Sequence, residues 1–131
     1  MSSRLDQSVV ERLEQEPLAW LCTLRQDGSP HVTPVWFVFH DSTFWICSAE
    51  KNRKVRNVRL DPRVSVALEG GSAPVVAEGQ VVLHPYDFSP DVIERFKKKY
   101  DWDITIPNER EGRRVMMEIP VVRWLLAGVA Q

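Results

Sequence analysis

The apolar residues of this chain come in short runs of six to nine, each cut off by a turn signal, and that rhythm commits most of the sequence to strands. The runs cover residues 18–25, 31–39, 43–48, 63–68, 75–83, 113–119 and 121–126. Asp27-Gly28 and His40-Asp41-Ser42 mark the first two returns, and Gly70-Gly71-Ser72 reads as a plain turn. Six or seven short strands with few helices imply a small antiparallel barrel. This is a mainly β (α+β) fold, in which residues 1–131 form a single domain.

Three helices are expected around that sheet. In residues 3–15, Leu5, Val9 and Leu13 recur every four positions, the spacing of a one-sided helix, and Pro17 stops it. A short basic helix follows the third strand and ends at Asp61-Pro62, since the proline ring disfavours helical geometry in the residue before it. Ser89-Pro90 opens the third as cap and first helical residue, after which Val92, Ile93, Phe96 and Tyr100 line one side. Lys97-Lys98-Lys99 suits its C-terminal end, where the helix dipole favours cations. The acidic segment 101–112 reads as a long loop shaping a substrate mouth.

Two strand-like runs carry a residue that disturbs a ladder. Pro34 has no N–H, so the 31–39 strand must be an edge, bulged, or opened toward something other than a neighbouring strand. Gly79 in the 75–83 run allows a bend.

Charge and composition exclude several function classes. A formal charge of −1 does not suit a nucleic-acid binder, whose affinity comes from neutralising many phosphates. No apolar run approaches the roughly 20 residues needed to cross a bilayer, and the start Met1–Asp6 lacks the apolar centre of a signal peptide. The expectation is a cytoplasmic protein. Cys22 and Cys47 are read as buried structural thiols, and His31, His40 and His84 lack the paired spacing of metal ligands. No metal site and no catalytic triad are expected.

The charge is nevertheless unevenly placed. From Glu50 to Arg63 there are six Lys or Arg against two acids, a local +4, while the rest of the chain carries eleven bases against sixteen acids. Such a segment, entered directly from a strand, reads as a grip for a small anion. Ser48 can cap the connection, and the free N–H groups of a helix start attract phosphate. Val55 and Val58 point to the core, while Arg53, Lys54 and Asn57 are expected to converge on one anion.

Three separated motifs in order, Asp27-Gly28-Ser29-Pro30-His31-Val32-Thr33-Pro34-Val35-Trp36-Phe37, then Ser48 with Lys54-Val55-Arg56-Asn57, then Asp61-Pro62-Arg63-Val64-Ser65-Val66, resemble the pyridoxamine 5'-phosphate oxidase-like split-barrel flavoproteins. Within them the chain looks most like the short reductases that use the deazaflavin coenzyme F420. The resemblance implies an FMN-binding type of split β-barrel and a homodimer with two cofactor sites between the subunits. It implies that Lys54, with Arg53 or Asn52, holds the cofactor phosphate and that Asn57 supports the helix. Thr33, Pro34, Val35 and Trp36 would lie against the ring system, and Ser48 and Ala49 would flank the ribityl chain.

The function so implied is reduction, by F420H2, of an activated C=C in a conjugated or planar aromatic small molecule such as a quinone, enone, coumarin-like compound or tetrapyrrole. The alternatives are an FMN-dependent oxidoreductase on the same scaffold and a non-enzymatic flavin- or haem-binding module. No residue is assigned as acid or base. The hydride chemistry resides in the cofactor, and the protein positions donor and acceptor and excludes water.

Overall fold

Eight strands and three helices make up the described residues, 5–130, of the computed structural model. The expected helix start at residue 3 and the reading of Met1–Arg4 as no signal peptide lie outside them. In chain order the elements are α1 (Gln7–Gln15), β1 (Ala19–Leu24), β2 (Pro30–Val35), β3 (Val38–His40), β4 (Thr43–Ala49), α2 (Arg53–Leu60), β5 (Arg63–Leu68), β6 (Val75–Gln80), β7 (Val82–His84), α3 (Pro90–Tyr100) and β8 (Arg114–Ala127). The strands form one antiparallel path, β2-β1-β5-β6-β8-β4-β3, with β7 added beside β8. This is the split barrel expected. Its two halves share β8, which pairs with β4 through residues 114–120 and with β6 through residues 121–127.

The strand count differs from expectation because two runs break and two join. The run 31–39 breaks at Trp36-Phe37, where the chain leaves β1 and crosses to β4. At the crossing, side chains replace a ladder: the Phe37 N–H donates to the Tyr100 hydroxyl at 2.9 Å, and Lys99 Nζ donates to the Phe37 carbonyl at 2.9 Å. The run 75–83 breaks at Val81, whose N–H donates to the Pro62 carbonyl at 2.9 Å. The runs 113–119 and 121–126 become the single strand β8, because Pro120 sits where the strand changes partners. Gly79 faces that handover across a register shift; a Cβ there would lie 2.5 Å from the Pro120 carbonyl oxygen. Close approach, as much as bending, demands the glycine.

Two cores result. The main one fills the barrel with Val9, Leu13, Leu21, Phe37, Phe44, Ile46, Val66, Met117 and Ile119, and burying each such side chain contributes roughly 1.5–3 kcal/mol before conformational entropy is charged against it. The second lies under α3 and comprises Val38, Val92, Phe96, Ile104 and Met116. The thiols depart from expectation. Cys22 and Cys47 are only partly buried, although desolvation still pushes the Cys47 thiol up to about 12 and keeps it inert. Ser89 occupies the cap position of α3 without a side-chain capping bond. No helix among the described residues is long and apolar enough to cross a membrane.

Candidate functional site

The basic helix α2 lies against β1 and divides into a buried and an open side. Val55 and Val58 enter the core, and Asn57, only 1% exposed, goes with them. Asn57 Nδ2 donates to Thr23 Oγ1 at 2.9 Å, and Thr23 is itself fully buried. This corrects the expected convergence of Asn57 with Arg53 and Lys54: its amide is spent on anchoring the helix, the supporting role, and is turned away from any surface ligand. Arg53, Arg56 and Arg59 are exposed, while Lys54 is half-buried and desolvation lowers its pKa.

The start of α2 is arranged differently from expectation. Ser48 ends up inside β4 and Asn52 takes the cap position, with extended backbone and no side-chain capping bond. Asn52 Nδ2 instead donates to Ser48 Oγ at 3.0 Å, tying the turn to the strand end. Ser48 and Ala49 are both 7% exposed, so they form the floor of this turn. The Val55 N–H donates to the Asn52 carbonyl at 3.1 Å, and with no side-chain cap the Arg53 and Lys54 N–H groups remain for an acceptor from outside.

Strand β2 ends the sheet path and pairs with β1 alone, so Pro34 does sit in an edge strand. His31 and Thr33, two residues apart, share one face of it. His31 Nδ1 and Thr33 Oγ1 are buried and lack hydrogen-bond partners; among the described residues only Arg114 Nε joins them in this. The pKa of His31 is lowered, first by desolvation and then by the charges of Arg25, Lys54 and Arg53. The imidazole is therefore neutral near pH 7 and within the field of the helix cations. Burying polar atoms without partners costs about 1–3 kcal/mol each, a cost that a ligand carrying donors and acceptors would remove.

The other members of the expected ring segment diverge. Pro34 is exposed, Val35 is 6% exposed in the core, and Trp36 is 47% exposed. Trp36 stacks on Tyr100 with ring centroids 4.6 Å apart and 4° between planes, and Trp102 meets it edge-on at 5.6 Å. Thr33 thus faces the orphaned cluster, whereas Trp36 belongs to an aromatic wall at the end of α3. His31 was missed by sequence reasoning, although its two-residue spacing from Thr33 was visible. Tyr100 was read only as part of a helix face. The remaining histidines have partners elsewhere, His40 with Asp91 at 2.8 Å and His84 with Glu118 at 2.7 Å.

The arrangement offers a phosphate-sized anion two cations, uncapped N–H groups and a pair of buried polar atoms on one side of β2. These features fit a phosphate-bearing cofactor with a polar ring edge. Other cavities open on the surface, one on the outer face of β1, β5 and β6 beside Cys22 and Ser65, another between residues 85–93 and 104–114.

Comparison with known proteins agrees with the fold. Residues 5–126 match the sequence profile of the family described as Pyridoxamine 5'-phosphate oxidase. Among solved structures, one described as an F420 reductase superposes with a TM-score of 0.74 at 21% identity, covering 92% of this chain and 98% of that one. A proposed pyridoxamine 5'-phosphate oxidase from Listeria innocua gives a TM-score of 0.66 at 24% identity, covering 90% and 95%. The haem storage protein of Vibrio cholerae gives 0.71 at 18% identity, covering 98% of each chain. At such identities the likeness establishes the architecture alone.

Proposed function

We propose, from the premise that the chain belongs to the pyridoxamine 5'-phosphate oxidase family, that it is a reductase using coenzyme F420 on an activated C=C of a planar conjugated small molecule. The observation that carries this reading is the orphaned pair His31 Nδ1 and Thr33 Oγ1 beside the half-buried Lys54. Arg53, Lys54 and the first-turn N–H groups after Asn52 hold the cofactor phosphate by charge-assisted hydrogen bonds. Thr33 and His31 meet the polar edge of the ring, and the Ser48-Ala49 floor supports the ribityl chain. When bound, the reduced deazaflavin supplies a hydride to an electron-poor double bond.

The chain's own contribution is positional. Trp36, fixed by its stack on Tyr100, presents a flat apolar wall to a planar acceptor such as a quinone, enone, coumarin-like compound or tetrapyrrole. No side chain acts as acid or base, and solvent protonates the product. A second copy of the chain completes the groove, giving a homodimer. The outer face of β1 and β2 supports this, with Val32 at 54% and Trp20 at 38% exposed.

FMN is the second reading, favoured by the family itself, and it uses the same grip. Calorimetric titration of the apo-protein with F420 and with FMN separates the two. Tighter binding of F420, followed by anaerobic oxidation of F420H2 by a quinone or enone, supports the reductase. Tighter FMN binding, with rapid oxidation of the reduced flavin in air, overturns it.

A further inference from the structure

The segment leading into α3 and the 101–112 loop border an open cavity of about 510 Å³, which is within the range of small-molecule sites. Its walls are mostly apolar, from Tyr86, Phe88, Ile93 and Ile104, and its charges are Arg113, Arg114 and Asp87. The two arginines are unusually constrained. The Arg113 guanidinium lies 3.9 Å over the Tyr86 ring, which holds its plane; its Nε faces the Glu50 carboxylate at 4.0 Å, and its Nη edge is left for an acceptor. The Arg114 side chain is 9% exposed; its Nη1 donates to the Ile104 and Ile106 carbonyls, and its Cζ lies 5.1 Å from the Trp102 ring.

One buried donor remains unspent. Arg114 Nε is buried with no hydrogen-bond partner, and the nearest carboxylate, that of Glu111, stops 3.6 Å away on a side chain that is half exposed. A guanidinium N–H left in that state is costly, and a carboxylate is the acceptor whose geometry matches its fork. Phosphate fits less well, because a dianion would bring a second negative charge toward Asp87. The apolar walls select the body of the ligand.

We propose that this cavity binds a small monocarboxylate with an apolar, ring-sized body, held by Arg114 and Arg113, and that Glu111 stands near the carboxylate position in the free protein. The site adjoins the cofactor turn without depending on it: Arg114 pairs with Ala49, and the Glu50 N–H donates to the Arg113 carbonyl at 2.8 Å. Occupancy is therefore the same whether the cofactor is a deazaflavin or FMN.

The test is calorimetric titration of the full chain with naphthoate and, in parallel, naphthamide, which keeps the ring and loses the charge. Naphthoate is expected to bind at least about tenfold more tightly, in line with a charge-assisted hydrogen bond. Glu111→Gln removes the competing carboxylate, so naphthoate affinity should rise several-fold while that for naphthamide stays unchanged. Ile93→Trp fills the cavity and leaves both arginines, so it should abolish binding while thermal melting still reports a folded protein. Arg114→Gln removes the loop's two carbonyl contacts as well, so the conclusion rests on the other two variants. Equal binding of acid and amide, no binding of naphthoate at millimolar concentration, or an unchanged or weakened naphthoate affinity in Glu111→Gln would overturn the proposal.

Discussion

Asn57 and Lys54 sit one helical turn apart in α2 and do opposite work. Asn57 satisfies Thr23 in a fully buried pair, so Asn57→Ala strands the Thr23 hydroxyl and should destabilise the fold by about 1–3 kcal/mol, read from the denaturant midpoint. Lys54 is charged at a cost, since desolvation lowers its pKa. Lys54→Ala should therefore leave the melting temperature unchanged or slightly raised, while weakening the phosphate-bearing cofactor by about 1–3 kcal/mol in calorimetry. Unchanged affinity would remove Lys54 from the site. The sequence places both residues on the helix, and the Asp61-Pro62 stop is legible as well. Which of the two faces inward depends on Thr23, 34 residues earlier, and no local pattern carries that.

At the scale of the element, the end of α3 acts as a clasp on the crossing between half-barrels. Lys99 donates to the Phe37 carbonyl and lies 3.7 Å over the Phe37 ring, and Tyr100 joins Phe37 to the Pro17 carbonyl. Desolvation pulls Lys99 down to about 8, so from there to about 10 the unfolded chain holds a proton that the folded chain has released, and stability rises with pH. Desolvation also pushes Tyr100 up to about 12, so above about 10 the folded chain retains a proton that the unfolded chain has lost, and stability falls. A denaturant midpoint that climbs between pH 8 and about 10 and then declines is expected. Lys99→Met should flatten the climb and Tyr100→Phe the decline; a climb that persists in Lys99→Met would assign it to another group. The Lys97-Lys98-Lys99 run reads from sequence as one wet helix end, yet Lys97 and Lys98 are exposed and Lys99 is drawn under by the Phe37 carbonyl.

At the scale of the molecule, β8 is the member both halves share, so sheet registry on either side of Pro120 depends on one strand. The outer face it helps form carries a cross-strand row Pro34, Trp20, Ala67, Val76, Leu126, next to Val32 and Cys22. A second copy seated there would cover it, and about 800 Å² per partner is the usual area of a stable pairing. Sedimentation should report a dimer for the wild type and a monomer for Val32→Glu, with cofactor affinity falling along with the dimer. A monomeric wild type that binds cofactor at full affinity would contradict the shared groove.

From the sequence alone come the β-rich class, the three helices, the disturbance of the β2 ladder at Pro34 and the basic character of α2, because period, turn residues and charge are local properties of the chain. Only the tertiary structure decided where the long runs break and join. Trp36-Phe37 and Val81 leave their ladders because Tyr100, Lys99 and Pro62 supply the lost hydrogen bonds, and β8 passes through Pro120 because its partner changes there. The orphaned atoms of His31, Thr33 and Arg114 belong to the same class of fact. An unpaired buried donor or acceptor is a statement about every neighbour at once, and those neighbours come from segments that meet only when the barrel is assembled.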